Sequence, residues 1–259
     1  MLNFAHRGFS ANWPENTKLA FEKAIETPGC DGIEVDVHQT MDGVPVIIHD
    51  VSLDRTCVNM KGFVRDYTLE KLEKADMSGS FAGKCEPQKL MTLREYLEMI
   101  EPTLLLTNIE IKTDEFEYPG IEENVIALIK EFGLTDRVII SSFNHYTLKR
   151  VKELCPEMKC GALTSSRFIG SAGYLEDNGF DALHPLCRSV TPEIAKELIS
   201  AGKEICAWGI TDAESIRQMF KAGVTSVIGD DPELTARIRE DMEDEEAWPL
   251  GWSVCGYDE

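Results

Sequence analysis

Strand-like and helical segments alternate along almost the whole chain, and no other feature limits its fold as tightly. The run "LNFAH" precedes a helix from about Asn16 to Glu26, opened by a cap at Asn16 or Thr17 in "PENT". The strands "GIEVDV" and "VPVIIH" come next, with only "HQTMDG" between them. After a less regular stretch, helix "TLREYLEMI" leads to strand "TLLLTNIEIK". Five helix–strand pairs follow, from "ENVIALIKEFG" with "RVIISS" to "DAESIRQMFKAG" with "SVIG", and "PELTARIRED" closes the series. Such alternation predicts a parallel sheet covered by helices, and 259 residues suit one TIM (β/α)8 barrel spanning 1–259. The count gives nine strands, one more than a barrel uses. The six residues of "HQTMDG" are too few to cross between parallel neighbours, so residues 33–49 are expected to form an antiparallel hairpin. A turn centred on Asp42-Gly43 sets Asp36 opposite His49, and another turn type slips that pairing by one residue.

Two stretches fall outside the alternation. Residues 51–90 are polar and turn-rich with one short helical run, "LEKLEKA", and follow a strand end. They are expected to form a small insertion over the barrel mouth, the face on which barrel enzymes carry their sites. The tail, 240–259, begins with an acidic run, expected to be a solvated helix end, with Trp248 and Trp252 pinning the last residues back.

Acids outnumber bases 46 to 26, for a formal charge of −20, which argues against a nucleic-acid binder or a protein held on anionic membranes. A small anionic substrate stays open, because a few local cations and a metal override the mean field in a cleft. The eight cysteines are scattered without a CxxC pair, so they are expected to be buried thiols in a reducing compartment. The N-terminus has no basic and apolar leader pattern, and no apolar run approaches spanning length. A cytoplasmic protein without stable membrane association is the expectation.

Side chains on a strand alternate faces, so Glu34, Asp36 and His38 share one face, while Ile33, Val35 and Val37 take the other. Ionisable groups on the lumen side of a barrel are costly unless paired or holding a metal. On this strand alone, an ion-pair network and a functional site stand level. Three further strand ends tip the balance: His6 and Arg7 in "AHRG", Glu110 and Lys112 in "IEIK", and His49 and Asp50 in "IIHD". Glu34, Asp36 and Glu110 make a hard oxygen site for Mg²⁺ or Ca²⁺, with Mn²⁺ a further option. Arg7 and Lys112 suit the non-bridging oxygens of a phosphate. His6 and His49 supply an acid and a base near neutral pH. Together these are the parts for hydrolysing a phosphodiester.

At this point the chain resembles the glycerophosphodiester phosphodiesterases, metal-dependent barrel enzymes related to phosphatidylinositol-specific phospholipases C. The likeness runs through "AHRG", "PENT", "EVDV", "DGVPVIIHD", "LDRT", "TLEKL", "TLREYLEMI", "NIEIK", "SSFNH" and "AGVTSVIGDDP" in that order. It implies that a small glycerophosphodiester is cleaved to sn-glycerol 3-phosphate and an alcohol. It also implies His6 and His49 as the acid/base pair, Glu34, Asp36 and Glu110 as metal ligands, and Arg7 and Lys112 on the phosphate. The attacking group it implies is the glycerol's own 2-hydroxyl, giving a cyclic phosphate that water opens. The insertion, by the same likeness, shapes the glycerol pocket.

Two departures stand out. Where the family often shows W-T-V-N this chain has Trp208-Gly209-Ile210-Thr211, and where a last strand ends I-I-T-D/N-x-P it has Val227-Ile228-Gly229-Asp230-Asp231-Pro232. Trp208 reads equally as a pocket wall or a core tryptophan. Glu15 and Asn16 are expected to start a helix, His38 to support the site from behind, His145 to begin a helix, and His184 to reach the rim. A lysophospholipid hydrolase, a metal-dependent sugar isomerase and a catalytically silent binding protein are the rival readings, each served less well by these residues.

Overall fold

Alternation along β2 (Gly32–Gln39) separates two chemistries, and the whole architecture follows from it. Ile33, Val35 and Val37 enter the main core beneath the helices, whereas Glu34, Asp36 and His38 face the other way and are equally buried. A strand buried on both faces belongs in a closed or covered parallel sheet. In this computed structural model, which describes residues 1–247, it does.

Eight strands pair in parallel and close on themselves: β1 (Leu2–His6), β2, β5 (Leu106–Ile111), β6 (Val138–Ser142), β7 (Lys159–Thr164), β8 (Ala182–Pro185), β9 (Glu204–Ile210) and β10 (Ser226–Gly229). The ring is sealed because β1 pairs with both β2 and β10. Two short strands, β3 (Pro45–Ile47) and β4 (Met91–Thr92), extend it antiparallel from β2. The sequence reading lacked β4, whose two residues lead straight into a helix and are too few to carry a pattern. The principal helices are α1 (Lys18–Glu26), α3 (Leu93–Ile100), α4 (Ile121–Glu131), α5 (His145–Leu154), α6 (Ser171–Asn178), α7 (Pro192–Ser200), α8 (Ala213–Ala222) and α9 (Pro232–Ala247), with α2 (Leu69–Leu72) a single turn. Their starts are written locally: Thr17 caps α1, Thr92 and Glu95 form a capping box on α3, and Asp212 and Ser215 form another on α8.

Three apolar clusters hold this together. The largest lies between the strands' outer faces and the helices; Phe4, Cys206 and Ile228 fill the lumen. A third, built from Val46, Ile48, Leu53, Val64, Leu72 and Met77, organises the stretch after β3. Along α9 the acids of the tail's opening run, as far as Asp244, are exposed while Met242 is buried. Trp248 and Trp252 lie outside the described residues. Among the described residues seven cysteines are free, and no helix is long and apolar enough to cross a membrane.

The hairpin forms, with a different register from the one expected. Val37 faces Ile47 and His38 faces Val46, so Asp36 lies across from Ile48, whose N–H donates to the Asp36 carbonyl at 3.0 Å. The reason is the turn. Three residues, Met41 to Gly43, connect Thr40 to Val44, and Gly43 takes φ 81°, the left-handed position of a bulged three-residue loop. His49 therefore lies past the strand end.

His184 also departs from expectation. It is fully buried in the lumen, not on the rim, and burial pushes its pKa down to about 3, keeping the ring neutral. Its imidazole occupies the space above Gly161, where an added Cβ would sit 2.1 Å from Nε2. Gly161→Ala must displace a ring with nowhere to go. A loss of about 1–3 kcal/mol is expected, read as a lower urea midpoint at unchanged slope.

Candidate active site

Parallel register brings the acids together at one end of the barrel. Asp36 on β2 is the direct neighbour of Glu110 on β5, and Glu34 lies beside His6 on the other side. One carboxylate oxygen from each of Glu34, Asp36 and Glu110 falls within 4.8 Å of the others. Cations interleave them. Arg7 Nε is 3.2 Å from Asp36 Oδ2, and Lys112 Nζ is 2.7 Å from Glu110 Oε1 and 3.5 Å from Asp36 Oδ1.

The electrostatics follow from burial set against those cations. Burial, then the neighbouring Asp36 and Glu110 charges, raises Glu34 well above the usual carboxylate range. Burial lifts Glu110 to about 7 despite Lys112. Asp36 is equally buried, yet Arg7 and then Lys112 outweigh that cost and hold it below its ordinary value. Glu34 Oε1 and Asp36 Oδ1 are buried without a hydrogen-bond partner among the described residues. Three converging oxygen donors, two with unpartnered atoms, suit a hard divalent cation.

Each of the two histidines has a carboxylate behind it. His49 Nδ1 lies 2.7 Å from Asp50 Oδ1, and His6 Nδ1 lies 2.6 Å from Asp230 Oδ1. An ionised carboxylate only accepts, so Nδ1 carries the proton in both rings and Nε2 is left for chemistry. Burial lowers the His49 pKa, partly offset by Asp36. His38 supports this from behind: its Nε2 lies 3.0 Å from the His49 carbonyl and its Nδ1 2.9 Å from the Tyr118 hydroxyl. His145 opens α5 and bonds the Leu163 carbonyl.

His6, Arg7, Glu34, His49, Glu110, Lys112 and Asp230 line one cavity of about 190 Å³. Phe143, Leu163, Trp208, Ile210 and Ile228 form its apolar side. Trp208 lines the cavity, is partly buried against the lumen cluster, packs edge-on to Phe143 and donates its indole N–H to the His184 carbonyl at 3.1 Å. A larger hollow, about 860 Å³, lies elsewhere, against Pro45, Thr92 and Asn124, and gathers no buried acids. Chemistry rather than size marks the site.

The sequence reading missed several contributors. Glu15 and Asn16 do not start α1. Asn16 takes φ 56° and donates from Nδ2 to Asp36 Oδ2 at 2.8 Å, and Glu15 accepts from Arg7 Nη1 at 2.9 Å. Arg7 itself sits at φ 57°, so the two non-glycine residues that take the left-handed region among the described residues both flank this one site. Asp230 was the larger omission, though Ser226, Ile228 and Asp230 follow the same alternation that pointed to Glu34 and Asp36. The first of the two departures in the last strands has a backbone cause. Gly209 takes φ 77° where the β9–β10 register shifts, and a Cβ there would meet Leu186 at 2.7 Å.

A parallel barrel with two carboxylate-backed histidines, three acids and two cations at one mouth defines a hydrolase of phosphoric diesters. The sequence model of the glycerophosphoryl diester phosphodiesterase family matches residues 6–234, and the chain belongs to that family. It is similar to a glycerophosphodiester phosphodiesterase of Caldanaerobacter subterraneus subsp. tengcongensis, 43% identical over 237 residues covering 92% of this chain and 97% of that protein. A Bacillus altitudinis glycerophosphodiester phosphodiesterase is 38% identical, over 92% of this chain and 98% of that protein. Among solved structures, an Oleispira antarctica phosphodiesterase in complex with the product sn-glycerol-3-phosphate matches with a TM-score of 0.81 at 29% identity, covering 94% of this chain and 97% of that one.

Proposed function

We propose that the protein hydrolyses glycerophosphodiesters to sn-glycerol 3-phosphate and an alcohol, using a divalent cation held by Glu34, Asp36 and Glu110. The convergence of those three carboxylates between two carboxylate-backed histidines carries the reading. Family membership and the relatives' named activity support it.

Arg7 and Lys112 lie against the non-bridging phosphate oxygens, the guanidinium offering two parallel donors. One of His6 and His49 takes the proton of the attacking hydroxyl at Nε2. The other delivers a proton from Nε2 to the departing alkoxide, so that no strongly basic oxygen is released. Asp230 and Asp50 keep each ring in its tautomer and stabilise it when charged. The cation, Mg²⁺, Ca²⁺ or Mn²⁺, supplies Lewis-acid neutralisation of charge developing on oxygen. Phe143, Leu163 and Trp208 pack the glycerol carbons and exclude water. A single barrel domain across 1–259, with 51–90 inserted over the mouth, belongs to the same proposal, as does a cytoplasmic setting, which the seven free thiols among the described residues support.

Release of glycerol 3-phosphate from glycerophosphocholine and glycerophosphoethanolamine tests this directly. Turnover with a divalent cation and none with a chelator is expected. No release from either diester with Mg²⁺, Mn²⁺ and Ca²⁺ each supplied would refute the reading.

A further inference from the structure

Arg55, in the "LDRT" stretch after β3, lies outside the cavity, and the proposed mechanism gives it no task. Its guanidinium nevertheless spans two carboxylates. Nε donates to Asp50 Oδ2 at 2.7 Å and Nη2 to Asp50 Oδ1 at 2.9 Å. Nη1 donates to Glu15 Oε2 at 2.6 Å and Nη2 to Glu15 Oε1 at 2.8 Å. Both carboxylates act inward as well. Asp50 Oδ1 takes the Nδ1 proton of His49 at 2.7 Å, and Glu15 Oε1 takes an Arg7 proton at 2.9 Å. An unbroken series of hydrogen bonds thus runs from His49 through Asp50, Arg55 and Glu15 to Arg7.

The mount is rigid. Leu53 and Cys57, on either side of Arg55, are buried in the cluster that organises this stretch, and Cys57 N donates to the Leu53 carbonyl at 2.9 Å. Arg55 itself is 47% exposed at its side chain, and an exposed ion pair adds little to stability. Its output is geometric. Four donors in one plane fix two carboxylates relative to each other, which a lysine's single nitrogen cannot do.

We propose that Arg55 is a positioning residue: by clamping Asp50 and Glu15 it sets the spacing between the proton-transferring His49 and the phosphate-facing Arg7. The proposal rests on the phosphodiesterase reading of the same site. Residues that orient the groups in contact with substrate commonly change activity by about 10–100-fold when removed.

Arg55→Ala is therefore expected to lower kcat for glycerophosphocholine by about 10–100-fold, with KM changed less than threefold. Arg55→Lys keeps the charge but not the fork and is expected to remain at least fivefold impaired, roughly, in kcat. In an Asp50→Asn background, Arg55→Ala is expected to add no further loss, because the clamp already lacks one jaw. Arg94→Ala removes another two-pronged pair, with Glu131 on the outer helices, and is expected to leave kcat unchanged. Unchanged kcat in Arg55→Ala overturns the proposal, as does a loss confined to KM, full activity in Arg55→Lys, or additivity with Asp50→Asn. So does a loss that vanishes once rates are scaled to the folded fraction measured by circular dichroism. A wild-type protein with no turnover removes the phosphodiesterase reading itself; an active wild type with a normal Arg55→Ala removes only the clamp.

Discussion

Replacing His49 by Ala is expected to lower kcat by roughly a hundredfold or more, and His6→Ala to do the same. A nucleophilic hydroxyl and a leaving alkoxide both have pKa values far from neutrality, so each needs a partner that moves a proton during the step. The two rings are placed symmetrically: each has Nδ1 held by a carboxylate, at 2.7 Å from Asp50 and 2.6 Å from Asp230, and each leaves Nε2 toward the cavity. KM is expected to change little, because neither ring holds the phosphate in the ground state. A substrate with a good leaving group, such as a nitrophenyl phosphodiester, separates the roles. It needs no acid, so the variant that has lost the acid recovers most of its rate, whereas the variant that has lost the base does not. Near-normal turnover of glycerophosphocholine in both variants would show that neither ring transfers a proton.

The parts that were legible in the sequence are those governed by local period. The barrel follows from alternation of segments, and Glu34, Asp36, Glu110 and Lys112 follow from alternation within strands, because the spacing of two survives folding unchanged. The register of the hairpin was less legible. It turned on whether Gly43 adopts φ 81°, and "MDG" permits more than one turn. Glu15 and Asn16 show a deeper limit. "PENT" has the composition of a helix cap, and Thr17 does cap α1, but the two residues before it are drawn to Arg7 and Asp36 by contacts no local rule encodes. His6 and Asp230 lie 224 positions apart and meet only because β10 closes the barrel against β1. Closure is a global property, so its consequences appear in three dimensions first. The same holds for Arg55, whose partners come from two loops brought together at the mouth.

Removal of the cation is expected to have an effect as large as loss of a histidine. Glu34, Asp36 and Glu110 bring three buried acids together, with Arg7 and Lys112 set against them. Burial answers by raising Glu34 and Glu110, and a bound divalent cation lets both ionise without that cost. Chelation is expected to abolish turnover, and Glu34→Gln to weaken cation binding by at least about tenfold, with activity partly regained at high cation concentration. Thermal unfolding without substrate gives an independent reading. A cation at a hundred times its Kd stabilises the folded state by about 2.7 kcal/mol, so wild-type Tm is expected to rise and Glu34→Gln to rise much less at the same concentration. Glu34→Gln also keeps an oxygen able to accept the Arg7 amide proton, which the wild-type carboxylate takes at 3.0 Å, so the local fold is retained while the charge is lost. Full activity in a chelator, together with equal Tm shifts in the two proteins, would leave the three acids as an ion-pair network bound to Arg7 and Lys112 and no more.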